Sequence, residues 1–212
     1  MPTEREARFW NRTARRYARS DVTDPQGYAR TLARTRALLA PSDRVLELGC
    51  GTGTTALRLA DAVADYLATD ISTEMIAIAG TKLAVAPVPG LTFQAGTVET
   101  FAGQQEAFNA VLGFNYLHLV RDLPQTLRHI HAMLAPGGLF ISKTPCLGDM
   151  NLLIRALLIP ALRAIGKAPP VNAFRAADLA RYLGAVGFDI IATEDHATGR
   201  PEARPYIVAR RR

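Results

Sequence analysis

The stretch from Val45 to Gly53, Val-Leu-Glu-Leu-Gly-Cys-Gly-Thr-Gly, constrains the fold of this 212-residue chain more than any other. Its apolar beginning predicts a short buried strand, and three glycines at every second position predict a tight turn that leaves room for a ligand. Residues 54–60 space their apolar side chains at helical intervals, so a helix follows with its positive dipole end at the turn. This order of elements predicts an α/β domain with a nucleotide-type site.

The spacing of the glycines distinguishes between kinds of nucleotide site. The dinucleotide fingerprint needs a glycine at the sixth position counted from Gly49, where this chain has Thr54. A phosphate-binding P-loop needs a lysine after its second glycine, and no lysine lies nearby. Glu47 inside the strand instead suits a ligand with a cationic end and no phosphate. The alternative to a ligand site is an ordinary glycine-rich connection between a strand and a helix.

The segment from Glu47 to Gly53 resembles motif I of the class I S-adenosylmethionine-dependent methyltransferases, in which this loop surrounds the methionine part of the cofactor. The resemblance implies a Rossmann-like, doubly wound sheet of seven strands, mostly parallel with a reversed seventh strand, preceded by N-terminal helices. It also implies S-adenosylmethionine as the cofactor. The cofactor-binding residues implied in this loop are Glu47, Gly49, Cys50, Gly51 and Gly53.

A second acidic residue strengthens the prediction. Residues 65–70 form a predicted second strand that ends at Asp70, 21 positions after Gly49. A carboxylate at the end of the adjacent parallel strand can accept hydrogen bonds from both ribose hydroxyls of a nucleoside. Thr97 and Val98 stand where related proteins often carry Asp-Ala or Asp-Val, so we expect the Val98 backbone to contact the adenine. The further cofactor positions implied by the resemblance are Ile71, Met75, Thr97, Val98 and Asn115.

Two residues are candidates for a catalytic role. His118 follows the predicted strand 108–114, at the edge where active sites of open α/β sheets form, and could serve as a general base. The alternative is a packing histidine, since methyl transfer frequently needs no base. Tyr17 lies in a predicted N-terminal helix, residues 4–20, that resembles the pocket-covering segment of small-molecule methyltransferases of the ubiquinone-biosynthesis type. Its alternative role is packing through its ring.

The chain divides into a predicted N-terminal helical cap, residues 1–40, and a methyltransferase domain, residues 41–212. The Leu-x-Pro-Gly-Gly turn from Leu134 to Gly138 is another feature of the family, expected to precede the fifth strand. Residues 149–167 form a predicted helical insertion that is apolar nearly all round. It is too short and too charged to span a bilayer. Four roles for this segment are consistent with its sequence: a lid over an apolar substrate, a homodimer interface, shallow membrane association and plain packing.

The formal charge of +6 is uneven, because the first 36 residues hold nine arginines against four acids. They are scattered along a helix without aromatic stacking partners, so we expect a solvated face and not a nucleic-acid site. Two distant cysteines predict neither a disulfide framework nor a metal site, and the absence of a signal-peptide pattern predicts a cytoplasmic location.

We therefore expect an enzyme that transfers a methyl group to a small acceptor, apolar or aromatic, by in-line displacement. The loop after the fourth strand lacks the Asn/Asp-Pro-Pro-Tyr pattern of enzymes that methylate base or amide nitrogens. Methylation of RNA or protein, a nucleotide-binding oxidoreductase and a noncatalytic cofactor-binding protein are the alternatives.

Overall fold

Seven strands form a single sheet in the computed structural model, which describes residues 4–102, 107–150, 171–199 and 203–212. The strands are β1 (Arg44–Leu48), β2 (Asp65–Asp70), β3 (Leu91–Ala95), β4 (Phe108–Phe114), β5 (Leu134–Lys143), β6 (Phe188–Glu194) and β7 (Tyr206–Arg211). Their order is β3-β2-β1-β4-β5-β7-β6. The first five are parallel, and β7 runs antiparallel to β5 and β6, which confirms the predicted Rossmann-like sheet with a reversed seventh strand.

Helices cover both faces of the sheet. They are α1 (Glu4–Tyr17), α2 (Pro25–Arg36), α3 (Ala56–Leu59), α4 (Thr73–Val85), α5 (Val98–Phe101), α6 (Leu123–Met133) and α7 (Ala176–Val186), with 3-10 turns at Ala60–Ala62, Leu117–Leu119 and Leu147–Asp149. The alternation of side chains along β1 divides the core into two clusters. Leu46 and Leu48 pack with residues of α5, α6 and α7, whereas Val45 packs with residues of α3.

Strand β1 lies at the centre of the sheet, where the order of the strands reverses. Leu46 pairs with Leu67 of β2 on one side and with Val111 of β4 on the other. Because β1, β2, β4 and β5 are parallel, their carboxyl ends meet at one edge, and a crevice opens there between the loops that follow them. The glycine loop after β1 therefore lies at the position where open α/β sheets bind ligands.

Capping interactions set the boundaries of three helices. Asp24 caps α2 by accepting a hydrogen bond from the Gly27 N–H at 2.9 Å. Ser72 caps α4 by accepting one from the Met75 N–H at 3.1 Å. Gly187 ends α7 in the left-handed region, with φ of 106°. The N-terminal helix predicted to extend to position 20 ends at Tyr17.

The prediction for the start of the fifth strand was wrong. The Pro-Gly-Gly turn does not precede β5 but lies inside it, since Phe108 pairs with Leu134 and Ala110 pairs with Leu139. Residues 135–138 therefore bulge out opposite a single residue of β4, and Gly137 supplies the positive φ of 76° that the bulge needs. The predicted insertion, residues 149–167, lies outside the described residues from position 151 onward.

Candidate functional site

A cavity of about 750 Å³ opens at the carboxyl edge of the sheet. This volume falls in the range of small-molecule sites, roughly 300–1,000 Å³. The predicted site residues that line it are Tyr17, Glu47, Gly49, Cys50, Gly51, Asp70, Ile71, Met75, Thr97, Val98, Asn115 and His118. Gly53 does not line the cavity. The fold thus brings twelve of the thirteen predicted residues to one surface, although they come from separate segments of the chain.

The glycine loop needs its glycines for backbone conformation and for space. Gly49, Gly51 and Gly53 have φ of 70°, 56° and 75°, in the left-handed region that other residues rarely adopt. A Cβ at Gly49 would lie 2.8 Å from the Tyr116 ring, and one at Gly53 would lie 2.5 Å from the Phe93 ring. Gly53 therefore lets the loop pack against β3, behind the wall of the cavity.

Asp70 holds the glycine loop in place. One carboxylate oxygen accepts the Gly51 N–H at 2.9 Å, and the other accepts the Ser72 N–H at 2.8 Å. Burial raises the pKa of Asp70, and these two hydrogen bonds oppose the rise. Because a carboxylate offers about four acceptor positions, two remain for other donors, such as ribose hydroxyls. Asp70 therefore joins the loop after β1 to the turn after β2 and still faces the cavity.

Glu47 is a buried acid at the inner wall of the cavity. Its side chain is 2% exposed, and the Tyr66 hydroxyl donates to its Oε2 at 2.9 Å. Burial raises the pKa of Glu47 to about 7, and the Tyr66 hydrogen bond partly opposes this. A cationic ligand would compensate the buried negative charge, which fits the amino and sulfonium groups of S-adenosylmethionine. Sequence reasoning missed Tyr66, because its link to Glu47 depends on the pairing of β1 with β2.

The remaining positions near the glycine loop are mostly buried. Met75 and Val98 are 2% and 1% exposed and give this part of the cavity an apolar wall. The Cys50 N–H donates to the Thr69 carbonyl at 2.9 Å, and burial raises the pKa of the Cys50 thiol far above its usual value. The Thr97 hydroxyl donates to the Glu99 carboxylate at 2.6 Å. An apolar wall beside polar backbone suits a flat nucleobase.

The loop after β4 forms the opposite side of the cavity. Asn115 adopts a left-handed conformation, with φ of 52°, and its N–H donates to the Lys143 carbonyl at 2.8 Å. His118 lies in the following 3-10 turn, and its Nδ1 is buried without a hydrogen-bond partner within the described part of the chain. Burial, and then the charge of Arg204, lower the pKa of His118 to about 4. The imidazole is therefore neutral at pH 7.

Helix α1 covers the cavity. Arg121, which follows the 3-10 turn, donates to the Glu6 carboxylate at 2.8 Å, and Asn11 accepts from the Ser72 hydroxyl at 2.7 Å. Tyr17 is half exposed, with its ring against Gly51. Sequence reasoning missed the contacts of Glu6 and Asn11, since they join residues 115 and 61 positions apart.

Comparison with known proteins identifies the family. The methyltransferase domain family matches residues 15–193, which is most of the chain. The chain belongs to this family. This confirms the class predicted from Glu47 to Gly53, an S-adenosylmethionine-dependent methyltransferase of the class I fold, and with it S-adenosylmethionine as the cofactor.

Individual relatives are distant. The chain is 32% identical over 105 residues to the demethylmenaquinone methyltransferase of Symbiobacterium thermophilum, covering 48% of this chain and 42% of that protein. It is 30% identical over 152 residues to the mitochondrial arginine-hydroxylase NDUFAF5 of Danio rerio, covering 70% and 46%. The chain thus spans less than half the length of either relative.

A solved structure supports the fold over the whole chain. The magnesium protoporphyrin IX methyltransferase of Synechocystis PCC 6803 with bound S-adenosylmethionine superposes with a TM-score of 0.71, at 18% identity, and covers 100% of this chain and 99% of that one. At this identity the similarity shows the fold alone.

Among the described residues no helix is long and apolar enough to cross a membrane. Within the same ranges no group of three His, Cys, Asp or Glu side chains could hold a metal ion.

Proposed function

We propose that the protein transfers the methyl group of S-adenosylmethionine to a small organic acceptor held beside His118. The observation that carries this proposal is the continuity of one cavity, which runs from the Asp70-anchored glycine loop to the loop after β4. One half fits the cofactor, and the other half provides space for a second molecule. Two ligands in one cavity are what a direct transfer requires.

The residues of the first half fit the parts of the cofactor. Asp70 would accept hydrogen bonds from the ribose hydroxyls, and Glu47 would balance the charge of the methionine part. The apolar wall of Ile71, Met75 and Val98 would take the adenine, with the backbone of Thr97 beside it. Asn115 and Tyr17 would complete the enclosure. The bound cofactor supplies an electrophilic methyl group on a positive sulfur.

The protein then has to align two molecules and exclude water. Alignment of bound reactants can lower a barrier by roughly 7–11 kcal/mol, so no strong acid or base is indispensable. Helix α1 serves the exclusion of water, because its Glu6 and Asn11 contacts fix it across the cavity.

His118 is proposed to orient the acceptor. His118 lines the cavity, and a neutral imidazole can accept a hydrogen bond from an acceptor hydroxyl or amine. A pKa of about 4 makes it a weak base, so we expect orientation and not full proton removal to be its main contribution. Replacing His118 with Ala should raise KM more than it lowers kcat at saturating cofactor. A loss confined to kcat would instead assign general-base catalysis to His118.

The acceptor is apolar or aromatic, in keeping with the apolar segment predicted at 149–167. The same segment is proposed to form a homodimer interface, which size-exclusion chromatography of a truncated variant tests. We propose that residues 1–40 form a helical cap on a methyltransferase domain of residues 41–212, and that the protein is cytoplasmic. The scattered arginines of α1 support a small molecule over nucleic acid as the partner.

A transfer assay tests the proposal. The purified protein is incubated with S-adenosylmethionine labelled in its methyl group and with pools of small hydroxylated, amino and carboxylic compounds. We expect label in at least one product and matching formation of S-adenosylhomocysteine. The same assay is repeated with RNA and with protein extract as acceptors. If the cofactor binds but none of these acceptors receives label, a noncatalytic role is favoured. Binding of NAD in preference to S-adenosylmethionine would support an oxidoreductase.

A further inference from the structure

The ammonium group of Lys82 contacts the glycine loop from the side of α4. Lys82 Nζ donates to the Thr52 carbonyl at 2.9 Å, to Thr52 Oγ1 at 3.0 Å and to Thr54 Oγ1 at 3.3 Å. An ammonium has three donor hydrogens, so these three oxygens can use all of them. Both threonines line the cavity, and Thr52 is 4% exposed. Lys82 is therefore tied to the cofactor side of the cavity, although its own side chain does not line it.

The position of Lys82 follows from the packing of α4 on the loop. Met75, Ala79 and Lys82 are separated by four and three residues, so they lie on one face of the helix. Met75 lines the cavity, and Ala79 is fully buried. A Cβ at Gly53 would lie 2.9 Å from the Ala79 Cβ, which shows that this face of α4 touches the loop. Lys82 therefore reaches the loop from a helix that is packed against it.

Two opposite charges hold adjacent residues of the loop. Asp70 accepts the Gly51 N–H at 2.9 Å, and Lys82 donates to the carbonyl of the next residue, Thr52. A carboxylate thus binds a donor of the loop, and an ammonium binds an acceptor one residue later. Hydrogen bonds to charged groups are roughly twice as strong as those between neutral groups. The conformation of the loop therefore depends on Lys82 as well as on Asp70.

The surroundings of Lys82 make its contacts with the loop important. Burial lowers the pKa of Lys82, because the ammonium has lost part of its contact with water. The loop oxygens replace that water. Without the ammonium, the carbonyl of the buried Thr52 would lose a charged donor, and the loop would be free to take other conformations.

Resting on the proposed function, we propose that Lys82 is a positioning residue that holds the glycine loop in the conformation that binds S-adenosylmethionine. It contacts the loop and not the cofactor, and it takes no part in methyl transfer. Its contribution is pre-organisation, because a loop that is already ordered in the free protein loses less conformational freedom on binding. A folded protein without this ammonium should therefore bind the cofactor more weakly.

Calorimetric titration of S-adenosylhomocysteine into the full chain tests this. Lys82→Met keeps a long side chain without donors, and its affinity should be about tenfold weaker than that of the wild-type protein. Lys82→Arg keeps the charge and the donors, so its affinity should lie within about threefold of wild type. Thr81→Met is the control, since Thr81 is exposed and its hydroxyl donates to the Ala77 carbonyl of its own helix at 3.0 Å. This control should bind as the wild-type protein does.

Two further measurements separate positioning from a general loss of stability. In free Lys82→Met, the amides of residues 49–57 should exchange with solvent faster than in wild type, those of β1 and β2 should not, and saturation with S-adenosylhomocysteine should remove most of the difference. Thr52→Val removes one of the three contacts and should weaken binding about threefold. Lys82→Met should then reduce the affinity less in the Thr52→Val background than in the wild-type protein.

Three results would overturn the proposal: wild-type affinity in a folded Lys82→Met protein, equal effects of Lys82→Met with and without Thr52→Val, or faster exchange spread over the whole sheet. The last would make Lys82 a stabilising residue only. If circular dichroism shows that Lys82→Met does not fold, Thr52→Val alone decides, and unchanged affinity in that variant would overturn the proposal. Failure of the wild-type protein to bind S-adenosylhomocysteine would instead overturn the proposed function.

Discussion

The buried Glu47 makes cofactor binding depend on pH. Burial raises its pKa from 4.5 to about 7, so in the free protein at pH 5 only about 1% of the side chain is ionised. A cationic cofactor favours the ionised form and returns the pKa toward its usual value. By linkage, affinity for S-adenosylmethionine should then be about 50-fold tighter at pH 7.5 than at pH 5. Binding at pH 6 should release about one proton.

Isothermal titration in buffers of different ionisation enthalpy measures both quantities. In Glu47→Gln most of the pH dependence and of the proton release should disappear, and Asp70, whose pKa burial also raises, accounts for what is left. Tyr66→Phe removes the hydrogen bond that opposes the rise in pKa, so the midpoint of the pH dependence should move upward. An affinity that stays constant between pH 5 and 7.5 in the wild-type protein, with no proton released, would refute the reasoning about Glu47.

Two further predictions concern the surroundings of the site. Gly53→Ala should lower the free energy of unfolding by about 3 kcal/mol, because it combines a positive φ with overpacking against Phe93. Gly80→Ala is the control, since Gly80 has open space around it, and it should not lower the free energy of unfolding. Thermal melts compare the two variants, and equal melting temperatures would contradict the packing argument. Cys146 is buried, and burial raises its pKa to about 12, so iodoacetamide at pH 8 should leave it unmodified in the native protein. Mass spectrometry of peptides measures the modification, and rapid labelling would contradict the burial of this thiol.

Local patterns predicted those parts of the fold that depend on neighbouring residues. The bounds of β2, β3 and β4 agree with their apolar runs, and the caps Asp24 and Ser72 follow from side chains that reach backbone groups three residues away. The start of β5 was missed because the Pro-Gly-Gly segment signals a turn without showing that the chain returns to the same strand.

Local patterns likewise predicted only part of the site. Asp70 could be predicted because the parallel strands bring it to the glycine loop, and its spacing from Gly49 is a local signal. Three contacts could not be predicted: Tyr66 with Glu47, Arg121 with Glu6, and Lys143 with Thr31. They depend on the register between strands and on the docking of α1 and α2, which residue spacing alone does not specify.

The most direct test of the central claim is the titration of S-adenosylmethionine into the wild-type protein and into Asp70→Ala at pH 7.5. We expect one cofactor per wild-type chain. In Asp70→Ala we expect an affinity at least about 100-fold weaker, because the variant loses the hydrogen bonds to Gly51 and Ser72 together with the proposed ribose contact. Circular dichroism checks that the variant is folded. Unchanged affinity in a folded Asp70→Ala protein would contradict the assignment of the cavity to this cofactor.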